Sequence, residues 1–222
     1  MKNFIINFSS SFKFALLTIV ALLSPNISYS QDFGADLVSS YVWRGTQFGS
    51  GAHVQPYMDL GSGNLTGGVW GSFPTSAKGG GNELDLWVSY DFGPLALTVT
   101  NYTFPGEGGV YADSEGLFNG DYTELAASTS IMGVDLSAGY FTKVEALYVE
   151  LGFSTGVVDI AFGYGDDQAD GFYAGGGSGL VNMSFSGSKD IQISDNYALP
   201  VFGSFIINPE AETAFLVFGI SL

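Results

Sequence analysis

Residues Glu83-Leu84-Asp85-Leu86-Trp87-Val88-Ser89-Tyr90-Asp91-Phe92 alternate with a period of two. Leu84, Leu86, Val88, Tyr90 and Phe92 share one face of a strand, while Glu83, Asp85, Ser89 and Asp91 share the other. Such a strand stands between an apolar and an aqueous medium. Two architectures accommodate it: a soluble sandwich, with the apolar face turned into a core, and a membrane barrel, with the apolar face on lipid and the polar face lining the lumen.

The N-terminus bears on the choice. Lys2 and Lys13 precede an apolar run over residues 14–23, and Ser28-Tyr29-Ser30 supplies small residues where a signal peptidase cuts. Residues 1–30 are therefore expected to be a signal peptide and 31–222 a single domain. The apolar run is well short of the roughly 20 residues of a spanning helix. Although mean hydropathy is positive, the apolar residues after position 30 are dispersed by alternation, which is how a barrel escapes a search for helical spans. No cysteine is present, so an exported domain of this kind is ordered by hydrogen-bonded closure and not by disulfides.

Charge narrows the partners. All 22 acidic residues follow Ser30, but of the six basic ones only Arg44, Lys78, Lys143 and Lys189 do. Nucleic acid is excluded as a partner and an anionic lipid surface is disfavoured. Abundant glycine, 15% aromatics and few prolines suit many strands joined by turns.

The alternation and the turn residues predict twelve strands: 33–44, 52–60, 65–73, 83–92, 95–104, 121–131, 134–141, 145–154, 157–163, 180–186, 197–208 and 212–222. Ten is the alternative count, since the segments around residues 180–200 carry the weakest pattern. Connections after even-numbered strands are mostly tight (Gly61-Ser62-Gly63-Asn64, Gly93-Pro94, Met132-Gly133, Thr155-Gly156), and those after odd-numbered ones mostly long. Two depart from this: 142–144 is short where a long loop is expected, and 187–196 is long where a turn is expected. Outer-membrane barrels alternate short periplasmic turns with long external loops. The fold expected is all-β, a closed antiparallel transmembrane barrel.

Counting back from Leu222, Ile220, Phe218, Leu216 and Ala214 are apolar at every second position. This is the pattern read by the outer-membrane assembly machinery, which makes that machinery and outer-membrane lipid expected partners. The stretch Leu37-Val38-Ser39-Ser40-Tyr41-Val42-Trp43-Arg44-Gly45, then Val54-Gln55-Pro56 and Gly67-Gly68-Val69-Trp70-Gly71-Ser72, resembles the opening of the TorF-like porin family of bacterial outer-membrane proteins. Leu199-Pro200-Val201-Phe202-Gly203 through Asn208-Pro209 to Phe218-Gly219-Ile220 is similar to the close of related barrel proteins. The resemblance covers the first forty or so residues after the signal peptide and the last twenty-five. It implies a barrel fold, the outer membrane and a role in permeation, and carries over no catalytic residue.

Arg44 orients the first strand. A guanidinium at the bilayer midplane costs about 2–4 kcal/mol, so Asp36, Ser40 and Arg44 are expected to face the lumen, with Tyr41 and Trp43 outward in the external aromatic girdle alongside strand-end rings such as Phe73 and Phe92. The second strand puts His53, Gln55, Tyr57 and Asp59 inside and Val54, Pro56, Met58 and Leu60 outside; Pro56 contradicts a continuous ladder unless a bulge accommodates it. By the same parity Glu83, Asp85, Glu124, Glu150 and Asp159 line the inner wall, against Arg44 as the one base inside a strand. Carboxylates in such excess imply a lumen wetted by water and counter-ions. Trp70 and Trp87 also point inward, so the bore is partly filled, which argues against a wide general porin.

Other motifs carry less. Asp166-Asp167-Gln168-Ala169-Asp170-Gly171 starts like a calcium loop, but Gly177 stands where a bidentate Glu should close it. Asp166 and Asp170 are thus weak divalent ligands at most, and a solvated acidic loop is the better reading. Gly79-Gly80-Gly81 and Gly175-Gly176-Gly177 lack the following helix and Lys-Ser/Thr of a phosphate loop. His53, the one histidine, stands near Ser50 but has no second member of a dyad. The function expected is a small channel for passive diffusion of hydrophilic, preferably cationic, solutes, with no reaction and no cofactor. A barrel enzyme or receptor acting on outer-leaflet lipid, and a soluble periplasmic sandwich that binds a ligand, are the alternatives.

Overall fold

The computed structural model describes residues 29–76, 79–105, 122–167, 172–173 and 177–222. Their strands are β1 (Tyr29–Val38), β2 (Tyr41–Trp43), β3 (Thr46–Gly49), β4 (His53–Ser62), β5 (Leu65–Pro74), β6 (Glu83–Asp91), β7 (Ala96–Thr103), β8 (Thr123–Ile131), β9 (Val134–Phe141), β10 (Ala146–Ser154), β11 (Asp159–Asp167), β12 (Gly177–Ser194), β13 (Tyr197–Asn208) and β14 (Thr213–Ser221). All but β2 and β3 form one antiparallel barrel of twelve strands, each paired with its neighbour in the chain and closed by β1 against β14. The expected strand count and fold class hold.

Period-two alternation sets which face meets which medium. Phe33, Leu37, Val54, Met58, Leu60, Leu65, Val88, Leu97, Val99, Leu125, Leu151, Phe205, Leu216 and Phe218 are exposed on the outer wall. An apolar surface this continuous is what a barrel presents to lipid and far exceeds what a soluble monomer leaves in water. The barrel is therefore built to be embedded in a membrane. Among the described residues no helix is long and apolar enough to cross one.

Five connections at one end are turns of two to four residues, at 63–64, 92–95, 132–133, 155–158 and 195–196. Tyr29 and Leu222 lie at this end too, since Tyr29 pairs with Ser62 and Leu222 bonds to Ala35. The opposite end carries the longer connections, together with tight ones at 142–145 and 209–212.

Three details differ from the sequence expectation. The first wall strand stops at Val38, and residues 39–52 turn into the lumen, where β2 and β3 form a hairpin of their own. Residues 187–194, expected as a connection, continue β12 as far as a two-residue turn at Asp195-Asn196, because β13 supplies partners from Gly203 down to Tyr197. That stretch runs past the end of β11, where Asp159 pairs with Ser186. Pro56 makes no bulge: the β4–β5 register is the same on both sides of it, with the pairs at Gln55 and Pro56 missing, and the Gln55 amide instead donates to Ser72 Oγ across the gap at 3.2 Å.

Candidate lumen site

The inward hairpin turns on Arg44-Gly45. Both residues have positive φ, 47° and 77°, as a two-residue type I′ turn requires. Glycine takes that conformation freely, whereas an arginine in it is uncommon and needs holding. A Cβ on Gly45 would overlap the Val181 carbonyl of β12, so glycine also permits the close seating of the tip on the wall. Asn208 Nδ2 of β13 donates to the Gly45 carbonyl at 3.2 Å. Within the hairpin, Ser40 Oγ donates to the Gly49 carbonyl at 2.7 Å and the Gln47 amide donates to Ser40 Oγ at 2.8 Å.

Arg44 is the anchor. Its Nη1 donates to Glu124 Oε1 on β8 at 2.6 Å and to the Tyr173 hydroxyl at 2.9 Å, and its guanidinium carbon lies 4.3 Å from the ring centroids of both Trp43 and Tyr148. The second oxygen of Glu124 accepts the Tyr102 hydroxyl at 2.8 Å. Gly139 on β9 makes room for this carboxylate, since a Cβ there would collide with it. Around the pair lies an aromatic mass: Trp43 is 5.6 Å from Tyr102, 6.2 Å from Phe141, 6.3 Å from Tyr173 and 6.0 Å from Phe48, centroid to centroid.

The inward placement of Tyr41 and Trp43 corrects the expectation that they join the external girdle. Tyr41 is 5% exposed, its hydroxyl donates to Glu83 Oε2 at 2.7 Å, and its ring packs 5.5 Å from Trp70. Alternation along 33–44 assumes a strand that stays in the wall, and the bend at Ser39-Ser40 resets the parity. Arg44 likewise reaches the lumen from a hairpin tip and not from the wall.

Glu83, Asp85, Glu124 and Glu150 all project inward from the wall. Glu83 is bonded by Tyr41; Glu124 by Arg44 and Tyr102; Glu150 by the Tyr148 hydroxyl and by Asn182 Nδ2 at 3.1 Å. Asp85 is different. It shares a hydrogen bond with the Glu83 carboxyl and takes another from the Thr103 backbone, yet it is 6% exposed and its Oδ1 is one of two buried side-chain oxygens to which nothing donates among the described residues, the other being Thr46 Oγ1. Asp59 stands apart from these toward the short-turn end, opposite Asp32 on β1. Asp159, the first residue of β11, is exposed at that rim.

Several cavities flank the hairpin, among them two that hold carboxyl groups and tyrosines of the site. One, of about 380 Å3, is walled by Trp43, Trp70 and Trp87 with Tyr41, Tyr102 and Asp85. The other, of about 330 Å3, lies between Arg44, Tyr148, Glu150, Asn182 and the serines of β12. A third, of about 530 Å3, opens at the short-turn end beside Asp91, Asp135 and Glu150.

Other candidates fall away from this site. His53 is fully buried, with Nδ1 2.8 Å from the Gly51 carbonyl and Nε2 2.8 Å from the Gly80 carbonyl, so both ring nitrogens are engaged by backbone. Asp166 Oδ1 accepts the Ser178 hydroxyl at 2.5 Å. Asp170 lies outside the described residues, among which no group of three or more His, Cys, Asp or Glu is placed to hold a metal ion. Sequence reasoning missed Tyr148, Tyr173, Asn182 and Asn208. Only the Arg44-Gly45 pair, a positive-φ turn signal inside an alternating run, points to the hairpin they hold.

No family model matches the chain, and no curated protein does. Among solved structures it is similar to an engineered variant of the Rhodobacter blastica porin, with 14% identity and a TM-score of 0.38 over 89% of this chain and 99% of that one. It is also similar to a chain described under "Asymmetric conductivity of engineered proteins", with 15% identity and a TM-score of 0.39 over the same shares. At that level the likeness adds nothing to the strand pairing, which by itself defines the closed barrel.

Proposed function

We propose that this protein is a small bacterial outer-membrane channel, narrowed by its inward hairpin, through which small hydrophilic solutes diffuse and cations pass in preference to anions. The observation that carries the reading is the charge balance of the lumen. Glu83, Asp85 and Glu150 project into it, while Arg44, the one base there among the described residues, is already taken by Glu124. Even with Glu83 and Asp85 hydrogen-bonded to each other, the lumen keeps more acid than base, and in a tube with low-dielectric walls that surplus holds a negative potential that concentrates cations and excludes anions. The signal-peptide pattern of residues 1–30, the resemblance to the TorF-like porins and the apolar outer wall favour the outer membrane. The apolar alternation ending at Leu222 suits recognition by the assembly machinery.

Purified protein in a planar bilayer under a KCl gradient is the test. Reversal potentials should favour K+ over Cl−, and the joint substitution Glu83→Gln and Asp85→Asn should shift them toward zero, while neutralising Asp166 in its external position should matter less because bulk water screens it. Anion selectivity would refute the reading. A preparation that shows heat-dependent migration on an SDS gel, as a closed barrel does, yet no conductance would assign the barrel a binding or enzymatic role instead.

A further inference from the structure

All three tryptophans of the sequence, Trp43, Trp70 and Trp87, line the same cavity of about 380 Å3. They come from three different elements: the hairpin, β5 and β6. Tyr41, Tyr102 and Phe202 complete the aromatic wall, Asp36 lies at its edge, and Asp85 stands in it, hydrogen-bonded to the Glu83 carboxyl but with a buried Oδ1 to which no protein group donates. A channel that merely excluded anions needs carboxylates but has no need of six aromatic rings around Asp36 and Asp85. Rings and a carboxylate together suit a particular guest.

The faces of indole and phenol rings carry negative electrostatic potential and attract cations of low charge density, which are easily stripped of water. The rings here already do so on one side, where Arg44 stacks on Trp43. A bare metal ion is a poor guest, because hard cations require six or more oxygens at close range and the wall is mostly carbon. A primary ammonium is strongly hydrated and needs three acceptors. A quaternary ammonium has no N–H and needs none, gains from every ring it touches, and offers the Asp85–Glu83 pair a counter-charge. We infer that the cavity beneath the hairpin is a binding site for a small organic cation with a quaternary nitrogen, held by the box of Tyr41, Trp43, Trp70, Trp87 and Tyr102 and by the carboxyl group of Asp85. The inference rests on the channel reading for the route by which the guest arrives, but not for its capture.

Because every tryptophan lines the site, intrinsic tryptophan emission of the detergent-folded protein reports on it without background. Choline is the probe, and 3,3-dimethyl-1-butanol, which has the same shape with carbon in place of the charged nitrogen, is the control. Choline should change the emission saturably, and the neutral isostere should bind at least tenfold more weakly. Asp85→Asn should weaken choline at least tenfold, and Trp87→Leu should do so more than Trp87→Phe, which keeps a ring face. Glu212→Gln, at the external turn, should leave binding unchanged. Each variant is first checked for heat-dependent migration, and calorimetric titration replaces emission where a tryptophan is lost. Equal binding of the isostere, or undiminished choline binding by both Asp85→Asn and Trp87→Leu, would overturn the proposal. So would conductance in a bilayer with no choline binding, which leaves the channel standing without its cage. Choline binding without conductance would keep the cage and refute the channel.

Discussion

Arg44 occupies a backbone conformation that few non-glycine residues adopt and holds it inside a lumen, with its side chain 16% exposed and that of Glu124 3% exposed. The pair is a lock more than a source of net stability, since moving two charges out of water costs nearly as much as their attraction returns. Removing one partner is another matter. Arg44→Ala leaves Glu124 buried without its cation and should cost about 3–5 kcal/mol, read as a fall in the urea midpoint of the folded barrel in detergent. Adding Glu124→Gln should restore most of that loss, because no uncompensated charge then remains; a double variant as unstable as the single one would show that the ring contacts and not the charge hold the tip. At this scale the sequence was legible wherever a residue stays in the wall. Trp70 and Trp87 point inward by parity alone, as do Gln55 and Tyr57. Tyr41 and Trp43 were misread because parity is defined only relative to a continuing strand, and Ser39-Ser40 ends it.

The hairpin of β2 and β3 is inserted as a unit, and its design is visible in how the wall is joined beneath it. Val38 of β1 pairs directly with His53 of β4, so the wall needs no residue between Ser39 and Ala52 beyond a turn. Beyond Ser39, which bonds to β14, and Ser50 and Ala52, which bond to Gly79 and Thr75, the segment is turned into the lumen. Replacing residues 40–51 by Asn-Gly, which suits a type I′ turn, should therefore leave the barrel closed, shown by retained heat-dependent migration, and raise single-channel conductance several-fold; unchanged conductance would mean that the constriction lies elsewhere. The seam beside this element is short. Only Asp36–Val38 are in register with β14, flanked by backbone bonds from Leu222 and Ser39, because β1 leaves the wall where β14 continues toward Thr213. Turn chemistry made the short end readable: Met132-Gly133, for instance, has φ values of 53° and 81°. The lower half of β12 was not readable, since Gly187-Ser188-Lys189-Asp190 has the composition of a loop and becomes a strand only because β13 lies opposite.

Across the whole molecule, an acidic chain of net charge −16 wraps a lumen in which Arg44, the one buried base among the described residues, is paired with Glu124. Twelve strands enclose more room than the eight whose side chains fill their own interior, and less than the sixteen of a water-filled porin, and here the surplus is taken up by a hairpin and by Phe172 and Tyr173. On the channel reading proposed above, solutes pass the carboxyl groups of Glu83, Asp85 and Glu150. The range over which those charges act is set by salt: the Debye length is about 3 Å at 1 M and about 30 Å at 0.01 M. At high salt only ions in near contact with the wall should sense it, whereas at low salt the potential should fill the bore. The K+ to Cl− permeability ratio should accordingly rise steeply as ionic strength falls, and the variant lacking residues 40–51, with its wider bore, should lose selectivity at high salt while keeping much of it at low salt. A ratio independent of salt in both forms would mean that discrimination comes from fit at the constriction, with the field of the lumen playing no part.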